Sequence, residues 1–231
     1  MKERSLSGAK EWETYYSTGA GAAYPDENLV RLIKGRYTDV PRSGRVLDAG
    51  FGRGANLVMF AQNGYEAHGL EVSQENIAAG HDLAERARVK LHVGLLTGTQ
   101  LSYPDGYFDI VLSWSAVYYF GKRSLVGAAI EEFRRVLRPG GVLLMSVIHP
   151  NNCIVRRLSN DLGEGTHRIE QEWAYDNRAG LEIFYDPTSF GWRRLLSGFD
   201  QVEEGYAESL LFDPDRRLAW RLFLARKNPP Q

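Results

Sequence analysis

One cysteine, Cys153, stands among 231 residues, so no intramolecular disulfide can form and no Cys-x-x-Cys metal or redox pair can be drawn. A reducing, cytoplasmic setting is expected. No run of about 20 apolar residues is present to span a bilayer. The opening residues, MKERSLSGAKEWETYY, lack the apolar core of a secretion signal. Neither charge is in excess, since 28 Lys and Arg face 29 Asp and Glu. A nucleic-acid binder usually carries a strongly basic domain or stripe, whereas the doublets Arg134-Arg135, Arg156-Arg157, Arg193-Arg194 and Arg216-Arg217 are scattered among acids. Nucleic acid and membrane are therefore not expected partners. Repeats and low-complexity tracts are also missing. What remains, 43% hydrophobic and 25% charged residues, is the balance of a folded domain with a sizeable core of its own.

Short β-type runs lie at residues 45–49, 66–71, 89–93, 108–113 and 142–148, with helical patterns at 55–62, 74–87 and 122–137 between them. Strand alternating with helix predicts a doubly wound, Rossmann-like α/β fold, a mostly parallel sheet with helices on both faces. Ser73 reads as a helix N-cap, and Pro139-Gly140-Gly141 stops the third helix and turns into the next strand. Upstream, residues 10–17 and 26–37 read as two amphipathic helices. Residues 150–185 are polar and irregular, and a stretch this long without a clear element reads as a lid or binding loop. Then a helix is expected at 187–197 and strands at 199–206 and 217–225. The whole is expected to be one domain: a helical cap at 1–40, a cofactor-binding core at 45–149, a substrate lid at 150–186 and closing elements at 187–226.

The most informative string is VLDAGFGRGANL, from Val46 to Leu57. A buried strand ends at Asp48, a tight loop holds Gly50, Gly52 and Gly54, and a helix begins near Ala55. Glycines admit positive φ and remove the Cβ atoms that keep a backbone from a ligand, and such a loop at a topological switch point is where open parallel sheets bind cofactors. The spacing alone leaves a nicotinamide oxidoreductase open, because Ala55 fills a slot that the loose dinucleotide fingerprint tolerates. Two acids separate the readings. Asp48 would repel a pyrophosphate and attract a cationic amine. Glu71, 21 residues after Gly50, ends the next strand, where a carboxylate can accept from both hydroxyls of a ribose at about 1.5–3 kcal/mol for each charged bond. The implied ligand has a ribose and a positive amine.

Together the strings VLDAGFGRG, HGLEVS, LSYPDGYFDIVLSWSAVYYF and EEFRRVLRPGGVLLM, in that order over residues 45–145, resemble a class I S-adenosylmethionine-dependent methyltransferase. The resemblance implies a seven-stranded sheet with its last strand antiparallel, and S-adenosylmethionine as cofactor. Gly50, Gly52 and Gly54 would line the methionine half with Asp48 supporting the loop, Glu71 would hold the ribose, and Val72 would pack on the adenine. The backbone carbonyl of Ser113 would meet the ammonium. The family usually has an Asp after the third strand for the adenine amino group; this chain reads HVGLLTGTQ there, so Thr97 and Gly98 are expected to take over that contact. Tyr16 is expected beside the cofactor.

Methyl transfer from a sulfonium is an in-line displacement, and alignment alone is worth about 7–11 kcal/mol. A base is needed only where the acceptor must lose a proton. His149, at the carboxyl end of the fifth strand, is the candidate, with a hydrogen-bonded orienting role as the alternative. Trp114, Tyr118 and Tyr119 are candidate walls of an acceptor pocket, with core packing as the alternative. His68, His81 and His92 look structural, and no spaced metal-ligand cluster is visible. The expected acceptor is a small molecule, the expected state a monomer or homodimer. A Rossmann-type NAD(P) oxidoreductase and a non-catalytic cofactor-binding module stand as alternatives.

Overall fold

The computed structural model describes residues 24–35, 38–170, 178–210 and 212–228. Along them run α1 (Glu27–Lys34), β1 (Gly44–Ala49), α2 (Ala55–Gln62), β2 (Tyr65–Glu71), α3 (Gln74–Ala87), β3 (Leu91–Leu95), β4 (Phe108–Trp114), α4 (Arg123–Val136) and β5 (Leu137–Ile148). There follow β6 (Ser159–Gly163), β7 (Thr166–Ile169), β8 (Glu182–Phe184), α5 (Ser189–Leu195), β9 (Gln201–Ser209) and β10 (Leu218–Arg226). Helix starts sit where side-chain oxygens can take up free N–H groups. Asp26 accepts from Asn28 N at 2.9 Å, Ser73 from Asn76 N at 3.3 Å, and Thr188 from Gly191 N at 3.0 Å. The expected helix at 10–17 lies outside the described residues.

Among the described residues the main sheet has seven strands in the order β3-β2-β1-β4-β5-β10-β9. Its first five strands pair in parallel, and β10 runs antiparallel to both β5 and β9. Period-two side-chain alternation splits the sheet into two apolar faces. Val46, Ile110, Leu112 and Leu144 pack with Leu29, Leu57, Phe60 and Ala84 of α1 to α3. Leu47, Val111, Leu143 and Met145 pack on the other side with Val126, Ile130 and Phe133 of α4 and Trp192 of α5. The doubly wound fold expected from the alternation is the fold observed.

Residues 150–185 differ from their irregular reading. Asn152, fully buried, donates to Ala219 O at 2.9 Å and accepts from Ile154 N at 3.0 Å, which starts a π-helical turn at Ile154–Leu158. A second, antiparallel sheet β6-β7-β8 follows. Its first hairpin turns through Gly163, Glu164 and Gly165 at φ 93°, 54° and 76°. Most of β6 is exposed, so the run carries no period-two apolar signal. A few apolar side chains hold it: Ile154, Leu158, Ile169, Ile183 and Phe184 join the core beneath α4. The insertion is thus built onto one face of the main sheet.

Candidate cofactor and acceptor site

The sheet changes winding direction between β1 and β4, and the glycine loop leaves the carboxyl end of β1 at that point. Gly50, Gly52 and Gly54 have φ of 86°, 58° and 92°, a region that side chains disfavour. At Gly50 a Cβ would stand 2.6 Å from the Ala116 Cβ, so the loops after β1 and β4 meet with no room for a methyl group. At Gly54 a Cβ would lie 3.3 Å from the Gly80 Cα, which brings the start of α2 against α3.

Two buried carboxylates flank this loop. Asp48 is 1% exposed. Burial first, and repulsion from Glu71 second, push its pKa up to about 8, and its Oδ2 has no hydrogen-bond partner among the described residues. Glu71 ends β2 and is 4% exposed. Its Oε2 accepts from Gly52 N and its Oε1 from Val72 N, each at 2.7 Å. Burial raises its pKa while the Gly52, Val72 and Ser73 N–H groups pull it back. An ionised carboxylate offers about four lone-pair positions, and the short bonds from Gly52 and Val72 take two of them.

Around these acids the other expected residues fall as follows. Val72 is half-buried just beyond β2, and Leu96 N donates to Glu71 O at 2.9 Å, which draws the segment after β3 towards the same end. Thr97 is exposed, and the space a Cβ would take at Gly98 is open. Ser113 is fully buried near the end of β4, with no partner for its Oγ among the described residues. Trp114 packs towards the α1-to-α3 core. Tyr118 is buried in the opposite core, and burial raises its pKa well above that of a free phenol. Tyr119 lies against it with ring centroids 4.5 Å apart, and its hydroxyl accepts from Arg178 at 3.0 Å. Tyr16 lies outside the described residues.

His149 follows β5 and lines a cleft of about 390 Å³ with Asn151, Glu204, Tyr206, Glu208 and Arg221. Its ring meets Tyr206 edge-on at 4.6 Å, and Nδ1 accepts from Asn151 N at 3.1 Å. Burial, with the Arg221 charge behind it, lowers its pKa and keeps the ring neutral. Strand order puts this cleft on the β10 and β9 side of the sheet, three and four strands from β1.

Two residues with evident roles were not singled out from the sequence. Phe51, 5% exposed, wedges between β2 and α3: a Cβ at Gly69 would come within 2.6 Å of its ring and one at Gly80 within 3.0 Å. The aromatic inside the glycine string was the available signal. Ser146 on β5 accepts from Ser115 N at 2.7 Å, where Ser115 sits at φ 54° just after β4. Nothing along the chain marks that pair.

A family model described as a methyltransferase domain matches residues 47–145, from β1 to near the end of β5. A protein of Encephalitozoon cuniculi described as a methyltransferase is 29% identical over 189 residues, covering 79% of this chain and 81% of its own. A ubiquinone biosynthesis O-methyltransferase of Bradyrhizobium is 32% identical over 107 residues, 46% of this chain and 41% of that one. The same fold occurs in a 1,6-didemethyltoxoflavin-N1-methyltransferase of Burkholderia thailandensis, solved with its substrate and S-adenosylhomocysteine. It superposes with a TM-score of 0.64 at 17% identity, over 96% of this chain and 87% of that one. Motif order, family model and strand order agree: residues 47–145 match the methyltransferase domain, and the chain is similar in sequence and fold to S-adenosylmethionine-dependent methyltransferases.

Proposed function

We propose that this enzyme methylates a small organic acceptor, with its cofactor lying over the Gly50–Gly54 loop and its acceptor approaching from the β4 and β5 side. S-adenosylmethionine supplies an activated methyl group and a neutral leaving group. The residues present fit it. Glu71, held by the N–H groups of Gly52, Val72 and Ser73, stands where a carboxylate would accept from ribose hydroxyls. Asp48 Oδ2, buried without a partner among the described residues, would meet a cationic amine whose charge favours ionisation of this otherwise protonated carboxyl, with the Ser113 carbonyl as a further acceptor. Val72 offers an apolar contact for a base, and the open space at Gly98 admits its edge next to Thr97. The observation that carries this reading is the carboxylate of Glu71, which binds the loop amide of Gly52 at 2.7 Å and so ties the ribose position to the loop position.

A small acceptor is supported by the likeness to relatives named for ubiquinone biosynthesis and for a toxoflavin precursor, and by the insertion, which is packed over the same face as Tyr118 and Tyr119. We assign Tyr119, half-buried against the buried Tyr118, to that side, whereas Trp114 packs on the opposite face of the sheet. With Nδ1 of His149 accepting from Asn151 N, the neutral ring carries its proton on Nε2. In this state it donates to an acceptor; service as a base requires the ring to release Asn151. Calorimetric titration tests the cofactor assignment. Wild type is expected to bind S-adenosylmethionine and S-adenosylhomocysteine, and Glu71→Ala to weaken both by at least about tenfold, through lost ribose bonds and a slackened loop. Wild-type-like affinity in that variant removes the assignment of Glu71.

A further inference from the structure

Read along the chain, His68 and His92 are separate strand residues and no ligand set is visible. The parallel pairing of β2 with β3 brings His68 directly opposite His92. Glu66, two residues before His68, shares its face of the sheet. The two imidazoles stack with centroids 4.6 Å apart at 16°, and Glu66 Oε1 lies 3.0 Å from His68 Nε2. One ligand atom from each of the three residues lies within 4.8 Å of the others. His68 is 5% exposed, His92 half-buried, and the Glu66 side chain 44% exposed. The group is anchored at its base and open on its outer side.

We propose that Glu66, His68 and His92 form a site for a divalent late transition metal of the zinc class, clamping the edge strand β3 to β2. Two imidazole nitrogens and one carboxylate oxygen, with water in the fourth position, suit zinc, whereas calcium and magnesium require mainly oxygen ligands. At metal–ligand bonds of 2.0–2.2 Å, ligand atoms of a tetrahedron stand about 3.3–3.5 Å apart. The His68–Glu66 pair is already close to that spacing, and closure requires His92 to turn by roughly an ångström. Arg45 engages Glu66 through the other oxygen, Oε2, at 3.2 Å, so Oε1 faces the histidines. On the far side of His68, Tyr103 Oη lies 3.4 Å from Nδ1. Its oxygen can accept from Nδ1–H and leave the Nε2 lone pair to the metal, the arrangement that orients most metal-bound histidines. His68 precedes Glu71 by three residues on β2 and therefore faces the other side of the sheet; the clamp is separate from the cofactor loop.

The test uses the full-length protein without a histidine tag. Equilibrium dialysis with Zn²⁺ is expected to give one bound equivalent, Co²⁺ to give the visible bands of a tetrahedral site, and Zn²⁺ to raise Tm. His92→Gln and Glu66→Gln, both at accessible positions, are expected to weaken Zn²⁺ binding at least about tenfold and to abolish the Tm rise with the circular dichroism spectrum intact. His81→Gln, on exposed α3 surface, is expected to bind as wild type does. Absence of the bound equivalent, wild-type affinity in His92→Gln, or loss of binding in His81→Gln overturns the proposal.

Discussion

Asp48 shows how one buried side chain sets the behaviour of the site. A carboxylate without water or a donor is costly to ionise, and its pKa of about 8, against 3.8 for a free side chain, leaves it protonated at neutral pH. The linkage has a definite sign. Below about pH 4 both folded and unfolded chains hold this proton; between 4 and 8 only the folded chain does. The stability contributed is therefore full at low pH and lost as pH rises through 8, with a slope of at most about 1.4 kcal/mol per pH unit. Urea denaturation of the ligand-free protein between pH 5 and 8 is expected to show this decline, and Asp48→Asn to flatten it. Equal slopes in the two proteins would remove Asp48 as its source. The pKa of Glu71 is also raised by burial, but its carboxylate accepts from two backbone donors at 2.7 Å, where Asp48 Oδ2 has no partner among the described residues.

Between elements, the glycine loop depends on a residue that points away from any ligand. Phe51 fills the space left by Gly69 on β2 and Gly80 on α3, and contacts Leu57 of α2 through the same core. Three elements thus approach closely enough for the loop to hold positive φ at Gly50, Gly52 and Gly54. Phe51→Ala empties that space and is expected to cost about 3–5 kcal/mol in chemical denaturation. Cofactor affinity should fall with it even under conditions where the variant remains folded. A change below about 1 kcal/mol would mean that the glycine approach does not depend on this ring. The glycine string is legible in sequence because positive φ demands glycine. The wedge is not, because an aromatic within a loop is marked only by what it fills.

Across the whole molecule, the last described strand latches the middle of the chain. Lys227, just past β10, donates through Nζ to Arg134 O at 2.8 Å and Leu137 O at 2.6 Å, beside the free carbonyls at the end of α4. A cation at a helix C-terminus satisfies those carbonyls and opposes the helix dipole. Burial lowers the Lys227 pKa, but the contacts keep the site intact. Lys227→Met keeps the apolar stem and removes the donor. It is expected to lower unfolding free energy by about 1–3 kcal/mol, read by urea denaturation; unchanged stability would show that water replaces the ammonium there. The insertion is tied in at the same scale, through Asn152 to Ala219 O and through Ile183 and Phe184 in the core beneath α4.

The amino-acid order by itself determined the winding of the sheet, the glycine loop, the acids Asp48 and Glu71 that flank it, and the helix start at Ser73. Each of these rests on local backbone sterics, a nearby N–H to cap, or a periodicity of two or 3.6 residues. Only the tertiary structure decided that residues 159–184 carry a sheet, that Phe51 separates two glycines, that Ser146 supports Ser115, and that His92 stands opposite His68. Those relations join residues distant along the chain or in neighbouring strands, and depend on strand register and on which space is left to fill, which no local pattern records.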